Sequence, residues 1–591
     1  MKKLLTGNEA VALGAYEAGV TVASAYPGTP STEILENISL YKEIYSEWAP
    51  NEKVALEVAI GASIAGARSI AAMKHVGVNV AADPLFTFSY TGVNGGCVLV
   101  SADDPGMHSS QNEQDNRYYA KFAKIPMLEP SDSQEAKDFV KIAYEISEEY
   151  DTPVLLRLTT RICHGKGLVE IGERKEVEFK PYKKDIAKYV ATPANARKRR
   201  VMLEERLAKL EKFSNESELN KIEWNDKKIG VITSGVAYQY AKEVFGDTAS
   251  FLKLGFTFPL PKAKIKEFAE QVEKLYVIEE LEPYLEDEIK SMGIKVIGKE
   301  LIPSVGELNP DILAEVLFGK KPEKVEPNPE KVVGRPPTMC AGCPHRGLFY
   351  VLSKKKNVVV SGDIGCYTLG SAPPLESMDT TICMGASISA GHGFAKAFEK
   401  SGRDTKVFGV IGDSTFFHSG ITGLINVIYN QGNVATIILD NRITGMTGHQ
   451  ENPGTGYTLS GEATQFIDIV KICEAIGVKN IAVVNPLDLK ETEDAIDRAL
   501  NTNEPMVIIT KMPCVLKKSP AEEIEEYKLN KRVKCVVDRE KCRKCKMCLK
   551  AGCPAISFDV NIGSIIDETM CVGCDVCLQI CPFKAIVKAG E

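Results

Sequence analysis

Eight of the seventeen cysteines fall in the last fifty residues, in two runs: Cys542-x2-Cys545-x2-Cys548-x4-Cys553-Pro554 and Cys571-x2-Cys574-x2-Cys577-x3-Cys581-Pro582. Three thiolates at x2 spacing reach three corners of one iron–sulfur cubane, and the fourth, carried past a proline on the other run, crosses to a second cubane. The spacing assigns Cys542, Cys545, Cys548 and Cys581 to one [4Fe–4S] cluster and Cys571, Cys574, Cys577 and Cys553 to another. A zinc ribbon would use two CxxC pairs where this tail has two triplets, and nothing suggests secretion and with it a disulfide framework. The x4 gap, one longer than the usual x3, predicts a one-residue bulge before Pro554. Two such clusters pass single electrons, so the tail reads as a wire.

Four more cysteines lie elsewhere: Cys340 and Cys343 in MCAGCPHRG at 339–347, Cys366 after Gly362-Asp-Ile-Gly, and Cys514 after Met512-Pro. Cys366 and Cys514 each follow a Gly or Pro at the end of an apolar run (358–360 and 506–510), so all four can meet on one sheet edge. They are either thiols that pack or ligands of a third cluster.

Between them stands Val407-Phe-Gly-Val-Ile-Gly412-Asp413-Ser414, then a helix-like run at 418–430, then Val434-Ala-Thr-Ile-Ile-Leu-Asp440-Asn441. This is a strand, a crossover helix and a second strand, with Asp413 and Asn441 at the carboxyl ends, the edge where an open parallel sheet binds ligands. A carboxylate and an amide oxygen there suit Mg²⁺, which takes few protein oxygens and completes its shell with phosphate; the alternative is that both only cap turns. The spacing resembles the thiamine-diphosphate fingerprint. That resemblance implies that Asp413, the Asn441 side chain and the backbone carbonyl of Ile443 hold the metal, with Gly412, Ser414 and Gly445 beside the cofactor.

Thiamine chemistry also needs a buried Glu on the aminopyrimidine. Glu57, in Val54-Ala-Leu-Glu57-Val-Ala-Ile-Gly61-Ala-Ser-Ile-Ala-Gly66, lies in a run of small residues that predicts a buried helix. An unpaired carboxylate there is costly, so it either ion-pairs, with Lys74 or Arg68, or serves a cofactor. Upstream, Tyr26-Pro-Gly-Thr29-Pro-Ser-Thr-Glu33 ends a strand in a rigid, donor-rich lip suited to a carboxylate.

The elements that must position these groups read as an α/β chain of several domains. Apolar strands at 21–25, 96–100 and 153–158 alternate with small-residue helices, giving a doubly wound parallel-sheet domain over 1–195. A charged helical linker is expected at 196–226, and a smaller α/β domain at 227–322, whose Glu279, Glu280 and Glu282 read as a solvated acidic loop. A Pro-, Lys- and Glu-rich linker (323–337) leads to the diphosphate-binding parallel-sheet domain (338–520), a charged linker (521–534) and an α+β cluster domain (535–591). Composition is that of a soluble protein, 44% hydrophobic and 26% charged with net charge −7, which argues against a nucleic-acid partner. No stretch of 18 apolar residues predicts a membrane span, and the chain reads as cytoplasmic.

With both half-sites and the tail in view, the chain resembles the 2-oxoacid:ferredoxin oxidoreductase family, and within it the alpha chains of the indolepyruvate branch. The resemblance covers nearly the whole length. It rests most on YPGTPSTE at 26–33, DDPGMHSSQNEQDNR at 103–117, MCAGCPHRG, GDSTFFHSG at 412–420 and the tail. It implies two thiamine-diphosphate-binding domains plus a transketolase-C-like one. It implies oxidative decarboxylation of aryl pyruvates to aryl-acetyl-CoA and CO2 with electrons passed to ferredoxin, and a small beta subunit in an α2β2 heterotetramer with coenzyme A as co-substrate. It implies the pyrimidine contact at Glu57, substrate contacts at Thr29 and Arg117, and a third cluster at Cys340, Cys343, Cys366 and Cys514, from which this chain departs by its Pro344-His345-Arg346. A non-oxidative thiamine decarboxylase and a non-catalytic electron-transfer subunit are the competing classes.

Overall fold

Strands Ser69–Lys74, Cys97–Asp103 and Val154–Thr159 are buried at every position, which is why they read as unbroken apolar runs without alternation. In the computed structural model, which describes residues 1–321, 323, 328 and 332–590, they form the centre of a seven-stranded sheet. Its order is Phe256–Phe258, Met127–Leu128, Val154–Thr159, Cys97–Asp103, Ser69–Lys74, Val22–Ala25, Tyr45–Trp48, parallel except for the first. The carboxyl ends of Val22–Ala25, Ser69–Lys74 and Cys97–Asp103 therefore open on one edge.

The chain divides into two compact units, Met1–Glu326 and Pro327–Glu591. Within the first, the smaller α/β region carries its own four-stranded sheet, in the order Lys274–Ile278, Ile229–Ser234, Ser250–Leu254, Asn220–Glu223. It is not independent of the larger sheet, to which it lends the edge strand Phe256–Phe258. Leu252, Leu254 and Phe268 share one core with Leu85, Phe88 and Ile125. The expected helical linker is the helix Pro193–Glu216, with Thr192 at its N-cap and Pro at its start. Arg199 and Arg206 tie it down by donating to the carbonyls of Tyr90, Thr91 and Ser89.

The acidic run at 279–282 departs from expectation. Glu279 and Glu280 are buried; only Glu282 faces solvent. Glu279 accepts from the backbone N–H groups of Leu285 and Glu286 at 2.9 and 3.0 Å, capping the helix Tyr284–Ser291, and takes an ion pair from Arg117. Most of the expected 323–337 linker lies outside the described residues.

The second unit holds a six-stranded parallel sheet in the order Thr380–Thr381, Val358–Gly362, Lys406–Gly412, Val434–Asp440, Met506–Lys511, Asn480–Val484. The charged stretch after it is not a free linker: Glu523, on the helix Ala521–Glu526, is buried and pairs with Lys517 at 2.9 Å and Arg442 at 3.3 Å. The tail is α+β, with two antiparallel ribbons, Cys535–Val537 with Ile586–Lys588 and Ile556–Asp559 with Gly563–Ile566. The extra residue of the x4 arm is taken up by a 3-10 turn, Met547–Ala551, closed by Gly552 in the left-handed region.

Candidate functional site

Asp413 and Asn441 fall, as the spacing predicts, at the carboxyl ends of neighbouring strands, Lys406–Gly412 and Val434–Asp440. Asn441 Oδ1 lies 2.6 Å from the Ile443 carbonyl oxygen and 3.3 Å from Asp413 Oδ1, so three oxygens face one another. Oxygens converge in this way around a cation. The amide orientation is supported from its other end, where Asn441 Nδ2 stands 3.4 Å from His345 Nε2. His345 is fully buried, and burial pulls its pKa down to about 4, leaving a neutral ring able to accept from Nδ2. Burial, then the charge of Asp440, pushes Asp413 up to about 8; a divalent cation would reverse that. Thr444 donates to the Ser414 hydroxyl at 2.9 Å, closing the loop over the strand ends. A Cβ at Gly445 would stand 3.7 Å from both Asn441 Nδ2 and Cys366 Sγ, so the loop passes between the oxygen trio and the cysteines. The donor set fits octahedral Mg²⁺.

Cys340, Cys343, Cys366 and Cys514 are brought together beside it. Burial raises Cys343 to about 12 and Cys366 to about 11, and the thiols of Cys514 and Cys340 press both in the same direction. The N–H of Cys343 turns back on the Cys340 carbonyl at 3.1 Å, and that of Cys514 donates to the Asn441 carbonyl at 2.9 Å. Among the described residues no three His, Cys, Asp or Glu side chains close around a point suited to a single ion.

In the tail the fourth cysteine of each run lies near cysteines of the other run. Cys581 and Cys545 act on Cys548, while Cys553 and Cys571 act on Cys574. A small cavity of about 20 Å³ opens among Cys553, Cys571, Cys574 and Cys577. A ninth cysteine joins them without any spacing signal: the N–H of Cys535 donates to Cys571 Sγ at 3.4 Å, and its thiol donates to Asp575 at 3.6 Å.

The first unit requires two corrections. Glu57 is exposed on the helix Glu52–Ile64 and pairs with Lys53, not with Lys74 or Arg68; the small-residue run does form a helix, but this position faces away from the core. The buried carboxylate of that helix is Glu52, 5% exposed in its first turn, where the helix dipole favours a negative charge. A Cβ at Gly77 would sit 2.6 Å from Glu52 Cγ, so only glycine leaves this carboxylate its place. Arg117 is 1% exposed and fully engaged. It donates to Asp115 at 2.9 Å, to Glu279 at 2.6 Å and to the Glu280 carbonyl at 2.9 Å, so its charge is already paired with two buried carboxylates.

Thr29, at the end of Val22–Ala25, is half-buried, and its carbonyl accepts from the Ser109 hydroxyl at 3.3 Å. The cation at this edge is Lys74, whose Nζ donates to the Ser109 carbonyl at 2.6 Å. A Cβ at Gly28 would stand 3.1 Å from Lys74 Cβ. Burial lowers the Lys74 ammonium to about 8. Glu52 and Cys535 escaped the sequence reading, while Lys74 entered it only as an ion-pair alternative for Glu57 and His345 and Arg346 only as the departure after the CxxC; a glycine opposite a helix start was the one available signal for Glu52.

Residues 13–230 match the family model "Pyruvate flavodoxin/ferredoxin oxidoreductase, thiamine diP-bdg". Residues 363–510 match "Thiamine pyrophosphate enzyme, C-terminal TPP binding domain", and 564–587 match "4Fe-4S binding domain". The indolepyruvate oxidoreductase subunit IorA of Archaeoglobus fulgidus is 44% identical, covering 100% of this chain and 98% of the relative. That of Pyrococcus horikoshii is 42% identical, covering 100% and 97%. The 2-oxoglutarate synthase subunit KorA of Methanothermobacter marburgensis is 25% identical over 54% of this chain and 98% of its own length.

Proposed function

From membership of the 2-oxoacid:ferredoxin oxidoreductase family, to which this chain belongs as an IorA-type subunit, we propose that it carries out the oxidative decarboxylation of aryl pyruvates to aryl-acetyl-CoA, passing electrons to ferredoxin. The observation that carries the reading is the trio of facing oxygens from Asp413, Asn441 and Ile443 beside four convergent cysteines. Thiamine diphosphate, when bound, supplies the nucleophilic carbon and the electron sink.

Asp413, Asn441 and the Ile443 carbonyl would hold Mg²⁺, an ion that completes its shell with phosphate oxygens, and Gly412, Ser414 and Gly445 would line the cofactor. Glu52 replaces Glu57 as the carboxylate that holds the aminopyrimidine proton. It is the buried acid of its helix, as the role demands. With Arg117 engaged elsewhere, Lys74 and Thr29 receive the substrate carboxylate at the sheet edge. Cys340, Cys343, Cys366 and Cys514 would hold a third [4Fe–4S] cluster beside the two that the tail cysteines would hold; bound, such clusters would supply one-electron acceptors. The partner is a small beta subunit in an α2β2 assembly. No described helix is long and apolar enough to cross a membrane.

The test is to co-express the chain with its small subunit and assay indolepyruvate, phenylpyruvate, pyruvate and 2-oxoglutarate with coenzyme A and ferredoxin. A higher kcat/KM for pyruvate or 2-oxoglutarate than for both aryl pyruvates would overturn the substrate assignment, and no bound thiamine diphosphate in the purified complex would overturn the reaction.

A further inference from the structure

Arg346, third in the Pro-His-Arg that follows the CxxC, is 1% exposed. Its Nη1 donates to the Ala551 carbonyl at 2.8 Å, and its Nη2 donates to the carbonyls of Met339 and Cys340 at 2.7 and 2.9 Å. Its Nε is buried with no partner. Among the described residues no carboxylate pairs with it. A buried guanidinium left without a counter-charge is costly by several kcal/mol, so its position calls for an anion.

The anion is indicated by the cavity it borders. Arg346 and Gly342 line the space enclosed by Cys553, Cys571, Cys574 and Cys577. The CxxC loop presses on this wall: a Cβ at Gly342, which is held at φ +72°, would lie 2.0 Å from Val572 Cγ2. A Cβ at Gly552 would stand 3.3 Å from Arg346 Nη1. Arg346 thus spans the Cys340–Cys343 turn and the chain just before Cys553. A cubane held by four thiolates is an anion, and reduction adds one more negative charge to it.

We infer that Arg346 is the built-in counter-charge of the tail cluster held by Cys553, Cys571, Cys574 and Cys577, raising that cluster's reduction potential and making it the tail's point of entry for electrons from the Cys340–Cys343 side. The charge favours the reduced cluster over the oxidised one, and this cluster shares its wall with the CxxC loop. Arg346 is a positioning residue: it touches neither substrate nor iron ligand sulfur in any hydrogen bond of this structure.

The inference rests on the tail holding its clusters, and the two fail separately. Wild-type complex with fewer than about eight irons per chain defeats the cluster reading itself. With the iron present, Arg346→Met and Arg346→Lys, co-expressed with the small subunit, are titrated electrochemically under EPR. In Arg346→Met one cluster's reduced-to-oxidised ratio at fixed potential should fall about tenfold, a midpoint lower by about 59 mV for a one-electron couple, with iron unchanged. Arg346→Lys, which keeps the charge, should stay near wild type. Loss of iron in Arg346→Met alone, with Arg346→Lys intact, also supports a need for the charge. Unchanged midpoints in Arg346→Met, an equal fall in both variants, or loss of iron from both would overturn it.

Discussion

Glu52→Gln should abolish turnover while leaving the fold and all clusters in place. The substitution is isosteric and removes only the ability to hold and return a proton. A positioned acid–base group contributes typically 10²–10⁴-fold, so kcat/KM for an aryl pyruvate should fall at least about a hundredfold, about 2.7 kcal/mol of barrier. The structure supplies an independent route to the same loss. A Cβ introduced by Gly77→Ala would sit 2.6 Å from Glu52 Cγ, against an optimal carbon contact of about 3.5–4.0 Å. The carboxylate must then retreat by about 1 Å, a misplacement that costs on the order of 10²-fold. Glu57→Gln is the internal control: Glu57 is exposed and paired only with Lys53, so activity should stay within about twofold of wild type, since exposed pairs contribute little. The assay is ferredoxin reduction by the co-expressed complex with aryl pyruvate and coenzyme A, with iron and thiamine diphosphate contents measured on the same samples. If Glu52→Gln keeps more than a tenth of wild-type activity, or Glu57→Gln loses more than nine-tenths, the reassignment is wrong.

Asp413→Ala should lose Mg²⁺ and thiamine diphosphate together; occupancy of about one cofactor per chain in the purified variant would place the metal elsewhere. Cys343→Ser should lower iron from about twelve to about eight atoms per chain, and wild-type active enzyme with about eight would leave the third set of cysteines without a cluster. Acid should weaken the cofactor-free protein through His345. Its pKa falls from an ordinary 6.5 to about 4 in the fold, so the unfolded chain binds a proton that the folded one refuses, and stability drops as pH falls from 6.5 to 4. The loss is about 3 kcal/mol at about 1.36 kcal/mol per pH unit. His345→Gln should remove that part of the slope in denaturant melts taken at pH 6.5, 5 and 4, and an unchanged slope would show the ring to be protonated in the fold.

What the sequence made legible was whatever depends on contacts between near neighbours. Cysteine spacing carries its own geometry, so the nearness of Cys581 to Cys548 and of Cys553 to Cys574 could be expected without a fold. Strand ends mark themselves by the switch from apolar residues to Gly, Asp and Asn, so Asp413 and Asn441 could be placed on one edge. The failures all turn on the facing of a known element. Residues 52 and 57 share a helix but stand about 140° apart around it, and a run of small residues shows no apolar stripe by which to choose between them. Arg117 pairs with Asp115 two residues before it, but its second carboxylate, Glu279, lies 162 residues away and gives no sign in the local sequence. For the same reason the acidic run at 279–282 looked solvated when it was half of a buried network.

The distribution of buried arginines separates charges that hold the fold from the one assigned to electron transfer. In the first unit Arg68 pairs with Glu148 at 2.8 Å, Arg117 with Glu279 at 2.6 Å, Arg157 with Glu129 at 2.6 Å and Arg199 with Asp151 at 2.9 Å. Arg206 ends on the carbonyls of Asp151 and Ser89. It lies along an open groove with Glu149, Asp151 and Glu216 on its walls, and burial lowers its pKa to about 10, the response of a cation short of compensation. Arg346 in the second unit has no carboxylate partner among the described residues and borders a cavity walled by four cysteines. If it served only to bridge three carbonyls, a neutral donor would do so without the desolvation of a charge. A permanent cation in that place is useful where negative charge arrives and leaves, which is what a cluster does each time an electron passes.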